Sequence, residues 1–476
     1  MSDQFTGQSG VGLMERSPLE ASASAGAEAA VYSQSLLEIF NSYIFVFLVA
    51  FVVTVTLTPL LRRLAIANGI VDRPNDPRKA HKLPVAYLGG IAVYLGVLAG
   101  IAFSFLGYAL LPESIFGFHH SVFLNPESAS MGFKLVPMSI VLGMTLITVT
   151  GLIDDVIGLD PRLKIVGQLL AAAALAMQDV GTKVASGIMR PIGSLVGNDD
   201  LLYSVPMPVD IPLLAPTGSI TIDVIYWAGT AIIAVFVLGA CNASNLIDGL
   251  DGLLSGVTAI AATGLLIVAL MLAQDDDGTL DAARIVLALA LLGACLGFLP
   301  HNFNPATIFL GDCGSLLLGY LTIVLILTLG DTGKTHLVIA GLIIYAIPII
   351  DTALAIVRRK LAGKPMSAAD DQHLHHQLKR ALGVKGAVLA LYGIGLVFAA
   401  LGVWLSEGRV RVVFTIATVL AAFIGVTAVK IARRQAIEDD AVRRFAPAVE
   451  HTTTPRSSKP AGQAVGQPAT EPLPTD

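Results

Sequence analysis

Apolar residues fall into long blocks separated by short polar stretches. Blocks near 42–61, 86–110, 134–153, 163–179, 222–241, 253–273, 284–300, 314–330, 336–357, 386–405 and 411–430 each approach the length that carries a helix through a bilayer, about 20 residues. The block at 163–179 is the shortest and is Ala-rich. No internal repeat is visible. The pattern predicts an all-α chain, a polytopic transmembrane bundle of about 11 spans. Its interhelical loops would form an active-site cleft on the cytoplasmic side.

Composition narrows the class. Of the 476 residues, 54% are hydrophobic and 14% are charged, against about 25% charged in soluble domains. A water-soluble fold cannot hide that much apolar surface, and a disordered chain would not carry it. The net charge of −5 says less than where the charges lie. The three cysteines, Cys241, Cys295 and Cys313, lie in or beside apolar blocks and read as packing residues rather than a disulfide framework. The basic residues are spread over short loops, so no nucleic-acid partner is indicated.

Residues 1–40 lack a basic segment leading at once into an apolar core, so they read as a mobile tail rather than a signal peptide. The membrane domain spans 41–430. Residues 431–476 begin with Arg433, Arg434, Arg443 and Arg444 and then turn Pro-, Thr- and Ser-rich, which predicts a basic juxtamembrane segment followed by disorder. With eleven spans, loops 62–85, 154–162, 242–252, 301–313 and 358–385 share one side with the C-terminal tail. That side and its flanks hold most of the 30 lysines and arginines, which makes it cytoplasmic and places the N-terminus outside. The long loop 180–221 would cap the outer face.

Charged groups at membrane depth or at span ends are costly and mark function. Asp154 and Asp155 close one apolar block in GLIDDVIGLDPRLK. Adjacent carboxylates repel unless a proton or cation intervenes, and Mg²⁺ prefers such oxygens. Lys164 follows within reach of an anion, although a plain helix-end charge pair would also explain the two acids. In NASNLIDGLDGL, Asn242, Asn245 and Asp248 share a helical face at three-residue spacing, with Asp251 just beyond. These amide and carboxyl groups suit a metal and sugar or nucleoside hydroxyls.

The segment HNFNPATIFLGDCGS carries Asn302, Phe309 and Asp312. Its small residues allow a ligand close to the backbone. Phe309 could stack on a base or belong to the core. In RRKLAGKPMSAADDQHLHHQLKR, His373, His375 and His376 stand among cations. Zinc is the rival reading there. It would want Cys, His or carboxylate ligands in a tetrahedral array, and no thiols are near, so diphosphate binding fits better. Lys79, with Asp72, Arg78, His81 and Lys82, precedes the second span; positive-inside charge explains much of that segment. Together the loops imply metal-assisted chemistry on a phosphorylated polar substrate, with a second substrate entering from the lipid. A transporter would put its ionisable groups near the bilayer midplane, whereas these gather at one face.

These residues carry a resemblance. The Asp-Asp pair, N-x-x-N-x-x-D-G-x-D-G-L, P-A-x-x-F-x-G-D-x-G-S and H-L-H-H appear in order between about 42 and 430. The chain resembles the polyprenyl-phosphate N-acetylhexosamine-1-phosphate transferases, the superfamily of WecA, TagO and MraY. The H-L-H-H form and its R-R-K-x-x-G-K lead-in are closer to WecA and TagO. The family often has proline where Ala86 stands; here Pro84 is two residues earlier.

The resemblance implies transfer of a sugar 1-phosphate from a UDP-sugar, UDP-N-acetylglucosamine foremost, to undecaprenyl phosphate, with release of UMP. The lipid-diphosphate-sugar product would initiate a surface glycan at the inner (plasma) membrane. An MraY-type transfer of phospho-MurNAc-pentapeptide is the alternative donor. By the same carry-over, Mg²⁺ (or Mn²⁺) would sit on Asp312 with Asn245 and Asp155. Asp154 or Asp155 would act on the acceptor, and Asp251 and Phe309 on the uridine. His375, His376 and Lys164 would bind the diphosphate or sugar. A homodimer is suggested by analogy alone.

Overall fold

Thirteen α-helices make up nearly all the regular structure of the described residues. These are residues 35–72, 84–110, 136–206, 219–275, 280–361 and 373–445, with 278 and 363, of a computed structural model. In order the helices are α1 (Leu36–Ala67), α2 (Gly89–Leu110), α3 (Met138–Ile157), α4 (Pro161–Ala176), α5 (Ser186–Leu195), α6 (Val224–Ile247) and α7 (Leu253–Gln274). Then follow α8 (Asp281–Asn302), α9 (Gly311–Thr328), α10 (Thr335–Ile344), α11 (Ala346–Leu361), α12 (Leu374–Ser406) and α13 (Val410–Phe445).

Among the described residues nine helices are long and apolar enough to cross a membrane, or ten if the bent pair α10–α11 counts as one span. Helix α4, with 16 residues, is shorter than a standard span. It nevertheless leaves the face where α3 ends and reaches the start of α6, where Tyr226 donates to Ala176 O at 3.3 Å. The block expected at 163–179 is thus not among the candidate spans, and the chain is a multi-pass helical membrane protein.

The structure departs from the expected pattern in three places. The block 336–357 is not one straight span: α10 and α11 meet at 83°, and the elbow residue Tyr345 is pinned by a hydrogen bond between its hydroxyl and Ser244 Oγ. Pro348 lies in the first turn of α11, where a missing backbone N–H costs nothing. The segment 180–221 holds a 3₁₀ turn (Thr182–Ala185), α5 and a strand. Its strand β3 (Leu202–Pro206) pairs antiparallel with β4 (Ser219–Asp223), Leu202 opposite Asp223. The basic stretch after 430 continues α13 as far as Phe445.

Helices α7, α8 and α9 form the centre. A helix that is apolar all round belongs inside: in the core stretch of α9, 89% of residues are buried, against 6% in α13 at the perimeter. Both ends of α9 meet charge. At its C-terminus the fully buried Arg284 donates from Nε and Nη2 to Thr328 O, at 2.9 and 2.7 Å, and pairs with Asp281. Its N-terminal end is tied to α2: Gly89 N and Gly90 N donate to Phe309 O and Leu310 O, both at 3.0 Å. A short pair β1 (Val71–Asp72) and β2 (Val85–Ala86) lies alongside, and Phe309 N donates to Ala86 O at 2.9 Å. This seam closes because Gly90 faces Gly314; a Cβ on Gly90 would overlap the Gly314 backbone.

Gly90→Val should therefore lower the thermal midpoint of the detergent-purified protein. Overpacking of this kind costs roughly 1–3 kcal/mol. An unchanged midpoint would mean that the α2–α9 seam yields without cost.

Candidate active site

The polar groups gather where α3, α6 and α8 end and α4, α7 and α9 begin. Asp154 and Asp155 occupy the last turn of α3. Asp154 Oδ1 accepts from Leu159 N at 2.7 Å, and its Oδ2 pairs with Lys164 Nζ at 3.0 Å. Lys164 stands in the first turn of α4, which is started by Asp160 as N-cap and Pro161. The same ammonium pairs with Asp312 Oδ2, so it bridges α3 and α9. Burial alone would pull the Lys164 pKa down, but the charge and hydrogen bonds of Asp312 and Asp154 outweigh it and raise it.

Asp155, expected beside Asp312 and Asn245 as a metal ligand, instead turns both oxygens to the backbone. Its two oxygens accept from Asp312 N at 2.7 Å and Cys313 N at 3.0 Å, which satisfies amides that a helix start leaves bare. Gly311, at φ +68°, brings the chain so close that any Cβ there would run into the Asp155 carboxylate. Asp312 is thereby fixed in the first turn of α9, where Asn245 Nδ2 donates to its Oδ1 and, at 2.9 Å, to Ser315 Oγ.

Asn242 is one turn earlier on α6 and donates to Gln168 Oε1 at 2.8 Å. Asp248 terminates α6, is half-buried, and has no hydrogen-bond donor among the described residues. Burial first, then the charges of Asp312, Asp155 and Asp251, push its carboxyl up to about 8. Asp251 Oδ2 accepts from Asn304 Nδ2 at 2.8 Å and Ala306 N at 3.0 Å.

Asn302 is turned inward and only 3% exposed. Its Oδ1 accepts from Gly252 N and Ser255 Oγ, and its Nδ2 donates to Ile308 O at 3.1 Å. Every polar atom is taken up, so Asn302 shapes the loop before α9 rather than meeting a substrate. Phe309 is half-buried, and its ring lies 6.2 Å from that of Tyr87. Sequence reasoning missed Tyr87, whose phenol is pushed up by burial and then by the charges of Asp72 and Asp155. An aromatic residue two positions before the Gly pair was its available signal.

Of the three histidines, His373 and His375 are buried and turn onto Asp351 of α11, whereas His376 is half-buried. Asp351 was also missed; the signal was a lone carboxylate inside an apolar block. His375 joins this group to the rest, since a Cβ on Gly249 would lie 2.6 Å from its Nε2. Lys79, Arg78, His81 and Lys82 lie outside the described residues. The cysteines are buried free thiols.

The donor set suits a hard divalent cation. Asp312 and Asp248 have carboxylate oxygens not taken by backbone amides, with the Asn245 amide alongside. Mg²⁺ characteristically uses one or two carboxylates together with phosphate oxygens and water.

Residues 137–330 match the model of glycosyl transferase family 4. The chain is 32% identical over 414 residues to a decaprenyl-phosphate N-acetylglucosaminephosphotransferase of Mycolicibacterium smegmatis, covering 81% of this chain and 88% of that one. It is 29% identical over 384 residues to a probable undecaprenyl-phosphate N-acetylglucosaminyl 1-phosphate transferase of Bacillus subtilis, covering 80% and 90%. A phospho-N-acetylmuramoyl-pentapeptide-transferase of Bacillus cytotoxicus is 28% identical over 371 residues, covering 75% and 96%.

Two outcomes follow from this geometry. A carboxyl whose pKa rises on folding supports the folded state when protonated, and that support is lost between its ordinary value and its folded one. In chelator-treated protein, Asp248→Asn should thus gain thermal stability over the parent as pH rises from about 4 to about 8, and hold that gain at higher pH. A pH-independent difference would contradict the assignment. Separately, Asp155→Ala should lower the thermal midpoint, because two amides lose their acceptor. Asp155→Asn, which keeps one acceptor, should recover part of the loss in the same assay.

Proposed function

The chain belongs to the polyprenyl-phosphate N-acetylhexosamine-1-phosphate transferase superfamily, membrane enzymes that pass a phospho-sugar to a prenyl phosphate, and on that premise we propose that its donor is UDP-N-acetylglucosamine. The acceptor is undecaprenyl phosphate, the released product is UMP, and the reaction takes place at the cytoplasmic face of the plasma membrane. The lipid-diphosphate-sugar made there initiates a surface glycan. The observation that carries the reading is the bridge Asp154–Lys164–Asp312–Asn245, which joins four helices around one charged point at the ends of the spans.

An oxygen of the acceptor phosphate attacks the phosphorus that bears the sugar. The bond from that phosphorus to the bridging oxygen breaks, and UMP leaves with the electron pair. The acceptor is a phosphate monoester whose second pKa lies near 6, so it arrives largely dianionic and needs little help from a base. The greater demand is to hold several anionic groups in line, as in other phosphoryl transfers.

Lys164, already charged and aimed into the cleft, meets one of these phosphates. Asp155 keeps Asp312 at the start of α9, and Asp154 holds Lys164 in place. Phe309, with Tyr87 beside it, offers a ring to the uracil. Asp251 shapes the loop below it, and His376 faces the diphosphate. A bound Mg²⁺, or Mn²⁺ in its place, would be held by Asp312, Asp248 and Asn245 and would neutralise charge on the diphosphate oxygens.

The test is UMP release by purified protein with undecaprenyl phosphate, across UDP-sugars and with or without Mg²⁺. Release from UDP-N-acetylglucosamine that needs both lipid and Mg²⁺ is expected. Asp312→Ala should reduce it by about two to three orders of magnitude, the scale of losing one charge-stabilising group. Release from UDP-MurNAc-pentapeptide alone would overturn the donor assignment. Full activity of Asp312→Ala with ordinary Mg²⁺ dependence would overturn the metal assignment.

A further inference from the structure

A second cavity lies a full span away from the transfer site. Helices α6 and α9 carry Asp248 and Asp312 at one end of the bundle. At the other end, Asp223 caps the start of α6, and Asp331 stands three residues past the end of α9. Between these two ends, the 3₁₀ turn, α5 and the β3–β4 pair border a cavity of about 620 Å³, within the size range of small-molecule sites.

Its walls carry both signs of charge. Lys183 and Arg190 supply two cations, and Asp179, Asp200, Asp223 and Asp331 supply four carboxylates. Neither ion pair is tight. Arg190 Nη2 lies 3.9 Å from Asp200 Oδ1, with both side chains exposed. Lys183 Nζ lies 3.5 Å from Asp331 Oδ1, longer than the roughly 2.7–2.9 Å of a charge-assisted hydrogen bond. Asp331 is only 5% exposed, and no donor among the described residues reaches its other oxygen. Asp223 gives one oxygen to Tyr226 N at 2.9 Å. A buried carboxylate held by one distant ammonium is costly, and a second cation beside Asp331 would relieve it. Among the described residues these carboxylates do not converge closely enough for a bare metal ion, so the cation that fits is part of a larger molecule.

The elements around the cavity place it at headgroup depth. Tyr226 lines it, and its ring meets that of Trp227 edge-on at 5.6 Å. Trp227 is 62% exposed, and tryptophan and tyrosine collect where a bilayer meets water. Ile192 and Leu195 of α5, and Leu202 and Tyr203 of β3, are large exposed groups on the bordering elements.

We propose that this cavity binds the headgroup of an aminophospholipid, a phosphodiester that bears a primary ammonium. The ammonium meets Asp331 and Asp223, and the phosphodiester meets Lys183 and Arg190. The acyl chains lie against the exposed apolar groups beside it. Four carboxylates against two cations disfavour a headgroup whose only charge is negative. A quaternary ammonium has no N–H to give to Asp331. The site is at the opposite end of the bundle from Asp312, and it does not rest on the donor or metal assigned there.

The experiment is native mass spectrometry of full-length, delipidated protein, titrated with phosphatidylethanolamine, phosphatidylglycerol and phosphatidylcholine of matched acyl chains. One phosphatidylethanolamine per chain should bind roughly tenfold more tightly than either of the others, the scale of one hydrogen bond to a charged group. Lys183→Met and Asp331→Asn should each remove most of that preference. Lys183 is 56% exposed, so its variant tests the site even where Asp331→Asn fails to fold. Asp312→Ala should keep the preference whether or not it releases UMP, so failure of the reaction and failure of the site are read apart. Equal binding of the three lipids, or an undiminished preference in Lys183→Met, would overturn the site. Displacement of the bound lipid by an equal concentration of soluble glycerophosphoethanolamine would overturn the lipid assignment in favour of a free zwitterion.

Discussion

A helix buried on every side within a membrane protein cannot leave its ends bare. The first amides and last carbonyls of α9 have no water to turn to, and each unsatisfied group there would cost several kcal/mol. The protein meets this constraint with side chains from other helices, and with the matching sign of charge. The carboxylate of Asp155 accepts from the amides at the positive end of the helix dipole. The guanidinium of Arg284 donates to the carbonyl at the negative end. Both arrangements follow the direction of the dipole. The rest of the bundle is hung on this strut: α3 supplies one clamp, α8 the other, and α2 closes against the strut through paired glycines.

The same constraint sorts the acidic residues. Asp155 and Asp251 spend their oxygens on backbone amides and an asparagine, and they set where loops and helices begin. Asp154, Asp248 and Asp312 remain for one another, for Lys164 and for a ligand. Among the described residues Lys164 pairs with two of these carboxylates, Asp154 and Asp312. Placing the cluster at the ends of spans keeps it within reach of a water-soluble nucleotide and of a lipid headgroup.

The helices were legible because each apolar block is about as long as a bilayer is thick. The site was legible because its acids stand at block ends, beside glycines and amides that no lipid-facing helix needs. The roles within the site were less so. Asn302 looked like a ligand group because its neighbours are polar, yet its partners come from Gly252 and Ser255, some 50 residues away in sequence, a pairing that only the fold creates. Asp351 escaped notice inside what read as one straight span. Pro348, three residues earlier, was the sign that the span is broken. The histidines were read among the cations of their own loop, and the carboxylate that two of them turn onto, Asp351, comes from a different helix. Lys79 lies outside the described residues.

Helix α12 has one non-helical residue, Gly383, at φ 72° and ψ 178°. The turns before it are tied to Asp351 and the turns after it run through the lipid. The two parts of the helix therefore need not share one axis. A membrane that thickens, thins or changes its sterol or acyl content tilts the spans it surrounds. Gly383 is the one residue of α12 at which the chain between the histidines and the lipid-embedded turns leaves the helical conformation. The direction of the lipid-facing part of α12 is thus set separately from that of the turns that hold the histidines.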